Sequence, residues 1–355
     1  MCSIGLYTAS DQPVTAIRAA EERVAGIDLL VRSGSDLAGS EAVSEFASQL
    51  CDRDVAVFWL HGSESRLPDF EAAREQLIAA GVEVIVAGSG SADSESDSTV
   101  DSEIHERVRA YLERGGVLNV ANLIRFLAEQ FGGGEWPHDE PVDLPSTGVY
   151  HPDHPGASLG ELLATFDSDR PTVGIWFYET HWTFENTRYV DATVRALEAE
   201  GVNALPVFTN PTGDPDERDA GWVARHWFAD ANVDAVLSTF MYSLTMDERG
   251  RSATEPTEPT ADGFLSELDV PVVQAMVSMR SRDAYHADEA GLPPFELALS
   301  VALPELDGVV VSHPISGKER AARSETGVDA TVPLVHCPID DRVEHAAGLV
   351  ANWAR

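Results

Sequence analysis

Lysine is almost missing from this 355-residue chain: Lys318 is the only one, and arginine carries the rest of the side-chain positive charge. Against 24 Lys and Arg stand 60 Asp and Glu, for a net charge of −36. Such a surface repels phosphate backbones and anionic lipid, which excludes nucleic acid and membranes as partners. Cysteine is scarce too. Cys2, Cys51 and Cys337 are odd in number and far apart, so they form neither a disulfide framework nor a CxxC metal site, as expected in a reducing cytoplasm. No apolar run approaches the roughly 20 residues of a membrane span. The opening MCSIGLYTAS lacks the basic and apolar regions of a secretory leader. HExxH and P-loop patterns are absent, which removes zinc-protease and nucleotidase readings. Gly88-Ser-Gly90 has no third glycine opening a helix, and acidic residues follow it.

The acid has two explanations. One is a face that attracts a cation or a basic partner; the other is adaptation to a high-salt interior, where short screening lengths remove self-repulsion. Acid spread along the whole chain favours the second. No single surface carboxylate is therefore assigned a role on charge alone.

What is present reads as an ordinary globular protein. The apolar fraction is 43%, and the length suggests two domains of about 150 residues each. Short β-rich apolar runs at 3–8, 27–32, 54–60 and 82–87 alternate with amphipathic helices at 14–24, 41–49 and 70–80. Helices at 104–112 and 120–131 follow. In the second half, strands at 173–178, 203–208, 233–240, 270–277 and 309–311 alternate with helices near 216–230 and 342–354. The expected fold is α/β: two flavodoxin- or Rossmann-like, mostly parallel sheets with flanking helices. Residues 1–142 form the first domain, 143–168 a Pro/Gly/Asp-rich linker, and 169–355 the second domain. Stretches 88–101 and 250–261 are expected as solvated loops.

Residues 171–208, PTVGIWFYETHWTFENTRYVDATVRALEAEGVNALPVF, organise the second half. An apolar strand ends in a polar–aromatic loop, a helix carries Val190, Val194 and Leu197 on one face, Gly201 stops it, and a second strand follows. The first half echoes this order around FWLHG and FEAAREQLIAAGVEVIVA. In open α/β sheets ligands sit at the carboxyl ends of strands. The loops there are 179–186, 241–244, 278–282 and 313–315, and they offer His181, Trp182, Asn186, Met279, Arg280 and His313. Flat apolar faces, a guanidinium and imidazoles suit a large planar molecule bearing carboxylates. Equally, Trp182 and Met279 can be core, and Arg280 can pair with a neighbouring acid. His151 and His154, three apart in a Pro-rich loop, are weaker candidates for sharing a cation.

On these residues a family resemblance appears. The 171–208 stretch resembles the corresponding part of the cobaltochelatase CobN and magnesium chelatase large (H) subunits. The similarity continues through YLERGGVLNVANLIRFLAE, GVYHPDHPG, VPVVQAMVSMRSRDAY, GLPPFELALSVALPELDGVVVSHPISGKE and RVEHAAGLVANWAR. The composition resembles a haloarchaeal member of the CobN branch. The resemblance implies the N-terminal portion of a large subunit that inserts Co²⁺, or alternatively Mg²⁺, into a tetrapyrrole, a corrinoid in the CobN branch on the way to cobalamin. It implies separate AAA+ ATPase and integrin-like subunits that use the ATP, no cofactor bound by this portion, and main catalytic residues beyond Arg355. A non-catalytic docking or regulatory module is the alternative. His181, Asn186, Lys318 and the 304–308 turn match the family pattern. Glu179-Thr180 stands where the resemblance leads one to expect Arg-Ser, and Glu185 where a Gly commonly precedes the Asn, so the loop itself lacks the arginine a carboxylate would want.

Overall fold

The structure, a computed structural model, describes residues 2–10, 12–37, 39–61, 67, 69–89, 95–210, 218–245, 264–289, 291–319 and 335–355. The 250–261 loop, and residues 90–94 of the 88–101 loop, lie outside these. The chain divides into two units, one of residues up to Leu144 with Thr183–Glu185, the other built mainly from Pro145–Trp182, Asn186–Glu319 and His336–Arg355.

In the first unit, β1 (Cys2–Thr8), β2 (Ile27–Ser33), β3 (Val55–His61) and β4 (Glu83–Ser89) form a sheet of order β2-β1-β3-β4, with every pair parallel. That is the beginning of the flavodoxin-like order. Because neither face of a parallel sheet meets water, its strands read as nearly unbroken apolar runs. One face packs on helices Gln12–Glu21, Ser102–Arg114 and Gly116–Gly132. The other packs on Ser40–Leu50 and Phe70–Ala80. Gly81, at φ +80°, caps the last of these in the left-handed region that glycine enters freely. The segment after Gly132 is held to the unit by buried Asn119, whose amide nitrogen donates to Gly115 O and Val142 O, both at 2.8 Å.

The second unit carries β5 (Thr147–Val149), β6 (Thr172–Tyr178), β7 (Asn203–Thr209), β8 (Ala235–Ser238), β9 (Val272–Ser281), β10 (Val310–Glu319) and β11 (Val335–Pro338). Their order is β11-β10-β9-β8-β6-β7-β5. The β6–β7, β6–β8, β8–β9 and β9–β10 pairs are parallel, and β5, within the stretch read as a linker, pairs antiparallel with β7. Val190, Val194 and Leu197 of helix Arg188–Ala199 pack with helix Asp340–Ala354 on one face; Trp176, Phe228 and Phe240 fill the other. Burying each such side chain contributes about 1.5–3 kcal/mol.

Three local features differ from the sequence expectation. The loop after β6 begins with a short helix, Glu179–Thr183. β9 continues to Ser281, so Met279 and Arg280 lie in a strand. β10 runs from Val310 to Glu319, so His313 is interior to a strand and the carboxyl end is Ser316–Glu319. The reason for missing β10 is chemical. Ser312-His313-Pro314 and Gly317 look like strand breakers, and the strand indeed shifts register at Pro314, Ser316 and Lys318. Bulges absorb the missing proline donor and let pairing continue.

Candidate functional site

β7 lies on one side of β6 and β8 on the other, so the carboxyl ends of β6 and β8 form the switch point where a doubly wound sheet opens a crevice. The chain leaving β6 turns at once into Glu179–Thr183, and Asn186 N–H donates back to His181 O at 2.7 Å. This directs His181 inward. Its Nδ1 lies 2.5 Å from the Tyr189 hydroxyl. The His336 ring of β11 stands 5.1 Å away at 36°, and His336 N–H donates to Asn186 Oδ1 at 2.9 Å. Ser316 Oγ approaches His336 Nδ1 at 3.5 Å. Lys318 is buried on β10 and acts electrostatically on both imidazoles.

β11 is four strands from β6, which in a flat sheet means about 19 Å. The ring separation of 5.1 Å therefore requires this sheet to curl, bringing its far edge over the switch point. Gly317 is part of that geometry. A Cβ there would lie 3.0 Å from Arg282 Cα, a tight contact to which helix Arg282–Ala287 would have to yield by a few tenths of an ångström.

The electrostatics follow from burial. Desolvation, with the Lys318 ammonium second, pushes His181 down to about 4. His336 falls well below the ordinary imidazole value by desolvation, with His181 and Lys318 adding to it. Desolvation raises the Tyr189 phenol, opposed by a hydrogen bond with Thr239. At neutral pH the site holds two uncharged imidazoles and a phenol in contact, able to pass a proton or hold a polar ligand group. Among the described residues no three His, Cys, Asp or Glu side chains gather to hold a metal ion.

Comparison with known proteins fits this architecture. The CobN/Magnesium Chelatase family model matches residues 109–355. The chain belongs to this family. It is 33% identical over 253 residues to the aerobic cobaltochelatase CobN protein of Pseudomonas aeruginosa, covering 71% of this chain and 19% of that one. It is 29% identical over 252 residues to the magnesium-chelatase H protein of Rhodobacter capsulatus, covering 67% and 20%. The catalytic subunit of cobaltochelatase from Mycobacterium tuberculosis shares the fold, with a TM-score of 0.71 at 22% identity over all of this chain and 27% of that one. The chain thus spans about a fifth of the length of these curated relatives.

His181 and Asn186, which match the family pattern, meet in this cluster. Trp182 instead stacks on Phe208 of the core, rings 4.3 Å apart and 8° from parallel. Met279 is 45% exposed, and its N–H donates to Glu296 Oε1 at 2.8 Å. Arg280 reaches Asp288 at 3.0 Å and Gly291 O at 2.6 Å. His313 is held between Ser312 Oγ and Arg342 O, each at 2.9 Å, beside helix Asp340–Ala354. His151 and His154, rings 5.0 Å apart, line a groove of about 300 Å³ with Asp167, Arg170 and Glu198. That groove lies near Asn203, where β7 begins, at the opposite edge from His181.

Sequence reasoning overlooked Tyr189, His336 and Glu296 as site neighbours. Tyr189 stands next to the apolar stripe of its helix with no motif around it, and His336 sits in VPLVHCP, which has no motif either. The available signal was Lys318: a chain that has discarded lysine elsewhere keeps one in a buried strand. The family turn at 304–308 has a structural task. Asp307 accepts from Ser243 Oγ at 2.5 Å, Leu244 N–H at 2.6 Å and Thr245 Oγ1 at 2.5 Å, pinning the loop after β8. Bonds to a carboxylate are the stronger kind. Asp307→Ala is therefore expected to cost about 2 kcal/mol or more in denaturant unfolding. A loss below about 0.5 kcal/mol would show that the clamp contributes nothing beyond an ordinary surface contact.

Proposed function

We propose that this chain works as part of the large subunit of an ATP-dependent metal chelatase, contacting the tetrapyrrole into which a divalent metal is inserted. The carrying observation is the imidazole–phenol–ammonium cluster at the carboxyl edge of the second unit. Metal insertion displaces ring N–H protons, which must pass to a base, and neutral imidazoles joined to a phenol offer a path for them. The cobalt and corrinoid reading is supported by 33% identity to a cobaltochelatase CobN protein, against 29% to a magnesium-chelatase H protein. Separate AAA+ ATPase and integrin-like subunits would supply the energy of ATP hydrolysis, with the metal as substrate and no resident cofactor in this portion. The reading places the chain in the cytoplasm. No described helix is long and apolar enough to cross a membrane.

Titrating the chain in molar salt with a corrinoid and, separately, with a porphyrin tests this reading. Micromolar binding that shifts the corrinoid absorbance, and exceeds porphyrin binding, is the expected result. A response to porphyrin alone would move the chain to magnesium-chelatase chemistry. No response to either ring would remove ring contact from this portion.

A further inference from the structure

His181 and His336 come from segments 155 residues apart, and one residue between them binds both segments. Asn186, only 2% exposed, donates its backbone N–H to His181 O at 2.7 Å. That bond closes helix Glu179–Thr183 in the six-to-one pattern that takes a left-handed residue just before the donor. Glu185, at φ +53°, is that residue. The side chain works on the other segment: Asn186 Oδ1 accepts the backbone N–H of His336 at 2.9 Å. β11 is the end strand of its sheet, so donors on its outer edge have no ladder partner. Asn186 supplies His336 with the acceptor that a neighbouring strand would otherwise provide.

The residue type matters as much as the geometry. Without an acceptor here, the buried N–H of His336 would forfeit its hydrogen bond with water. A carboxylate of the same shape would accept that bond too, but its charge would draw protons onto both rings. An amide accepts and stays neutral. Around the pair stand the Lys318 ammonium, which acts on both imidazoles, and the Tyr189 phenol in contact with His181; Asn186 adds no charge to them. We infer that Asn186 is the positioning residue of the imidazole pair, fixing His181 through its backbone and His336 through its side-chain amide. The use of that pair as proton acceptor rests on the tetrapyrrole reading above; the positioning does not.

NMR of the histidine-labelled chain in molar salt tests this, with the two rings assigned from His181→Gln and His336→Gln. In the unsubstituted chain a ring-to-ring NOE is expected, and neither imidazole should titrate above about pH 5. Asn186→Asp keeps the acceptor, so the NOE should persist while both titrations move up by about one pH unit or more. Asn186→Ala removes the acceptor; the NOE should disappear and both rings should titrate nearer the ordinary value of about 6.5. Val350→Ala, a core truncation in helix Asp340–Ala354, should lower the melting temperature and leave NOE and titrations in place, which separates positioning from plain loss of stability. An NOE and titrations unchanged in Asn186→Ala, or titrations unchanged in Asn186→Asp, would each overturn the assignment. Should Asn186→Ala not fold, the Asn186→Asp result decides alone. Absorbance titration with the corrinoid reads ring binding separately. A chain whose pair responds as expected but binds no ring keeps the positioning and loses the proton-accepting role; ring binding with histidines indifferent to Asn186 does the reverse.

Discussion

In dilute buffer the chain is expected to lose its fold, and in molar salt to regain it. Sixty carboxylates face 24 Lys and Arg, and the ion pairs formed are mostly exposed, such as Arg195 with Asp153 and Glu198. Pairs of this kind contribute about 0–1 kcal/mol each, too little to offset repulsion among the unpaired acids. The screening length is about 30 Å at 0.01 M salt and about 3 Å at 1 M. At the first value every carboxylate in a unit senses the others; at the second it senses only its neighbours. For a chain of this size, about 1 kcal/mol shifts the melting temperature by roughly 2–4 °C. Screening several kcal/mol of repulsion should therefore raise it by on the order of 10 °C or more between low and molar salt. Circular dichroism melts across potassium chloride concentrations check this, with sucrose at matched osmolality as the uncharged control. A melting temperature flat with salt would refute it.

A fall in stability as pH drops from about 6.5 toward 5, measured in molar salt, is the second large effect. His181 is near 4 in the fold against 6.5 in an open chain, and His336 is shifted in the same direction. The unfolded chain therefore binds protons in this window that the folded chain refuses. Stability is full above 6.5 and is lost as pH falls below it, each histidine contributing up to about 1.4 kcal/mol per pH unit. For His181 the total is about 3 kcal/mol by pH 4. His151 and His313, also lowered by burial, add with the same sign. Protonating carboxylates works the other way, since it relieves repulsion, but ordinary carboxyls titrate near pH 4. The imidazoles decide the outcome above about pH 5. Urea unfolding at several pH values should show uptake of about two protons or more. His336→Gln should reduce that uptake by about one; an unchanged pH slope would mean the pair does not titrate on unfolding.

The fold was largely legible. Burial on both faces of a parallel sheet writes continuous apolar strands, as in Val55–His61 and Thr172–Tyr178, and glycine stops such as Gly81 and Gly201, at φ +80° and +78°, mark helix ends. Glu185 stands at φ +53°, a left-handed backbone that favours glycine, the residue the resemblance implies at that position. β10 was read short because proline and glycine signal breaks locally, while a bulge that keeps pairing depends on the partner strand.

The site was legible only in pieces. Local sequence determined that His181 follows a buried strand, that Asn186 precedes a helix, that Lys318 is unique and that the surface is acidic, since each is a property of one segment or of composition. It could not determine that His336 meets His181, because 155 residues and four strand positions separate them. That meeting is decided by the curl of the second sheet, in which accumulated strand twist and the bulged β10 carry the far edge back over the switch point. The same curl decides the chemistry. It removes the two imidazoles from water, sets them beside the chain's one ammonium, and so makes them neutral.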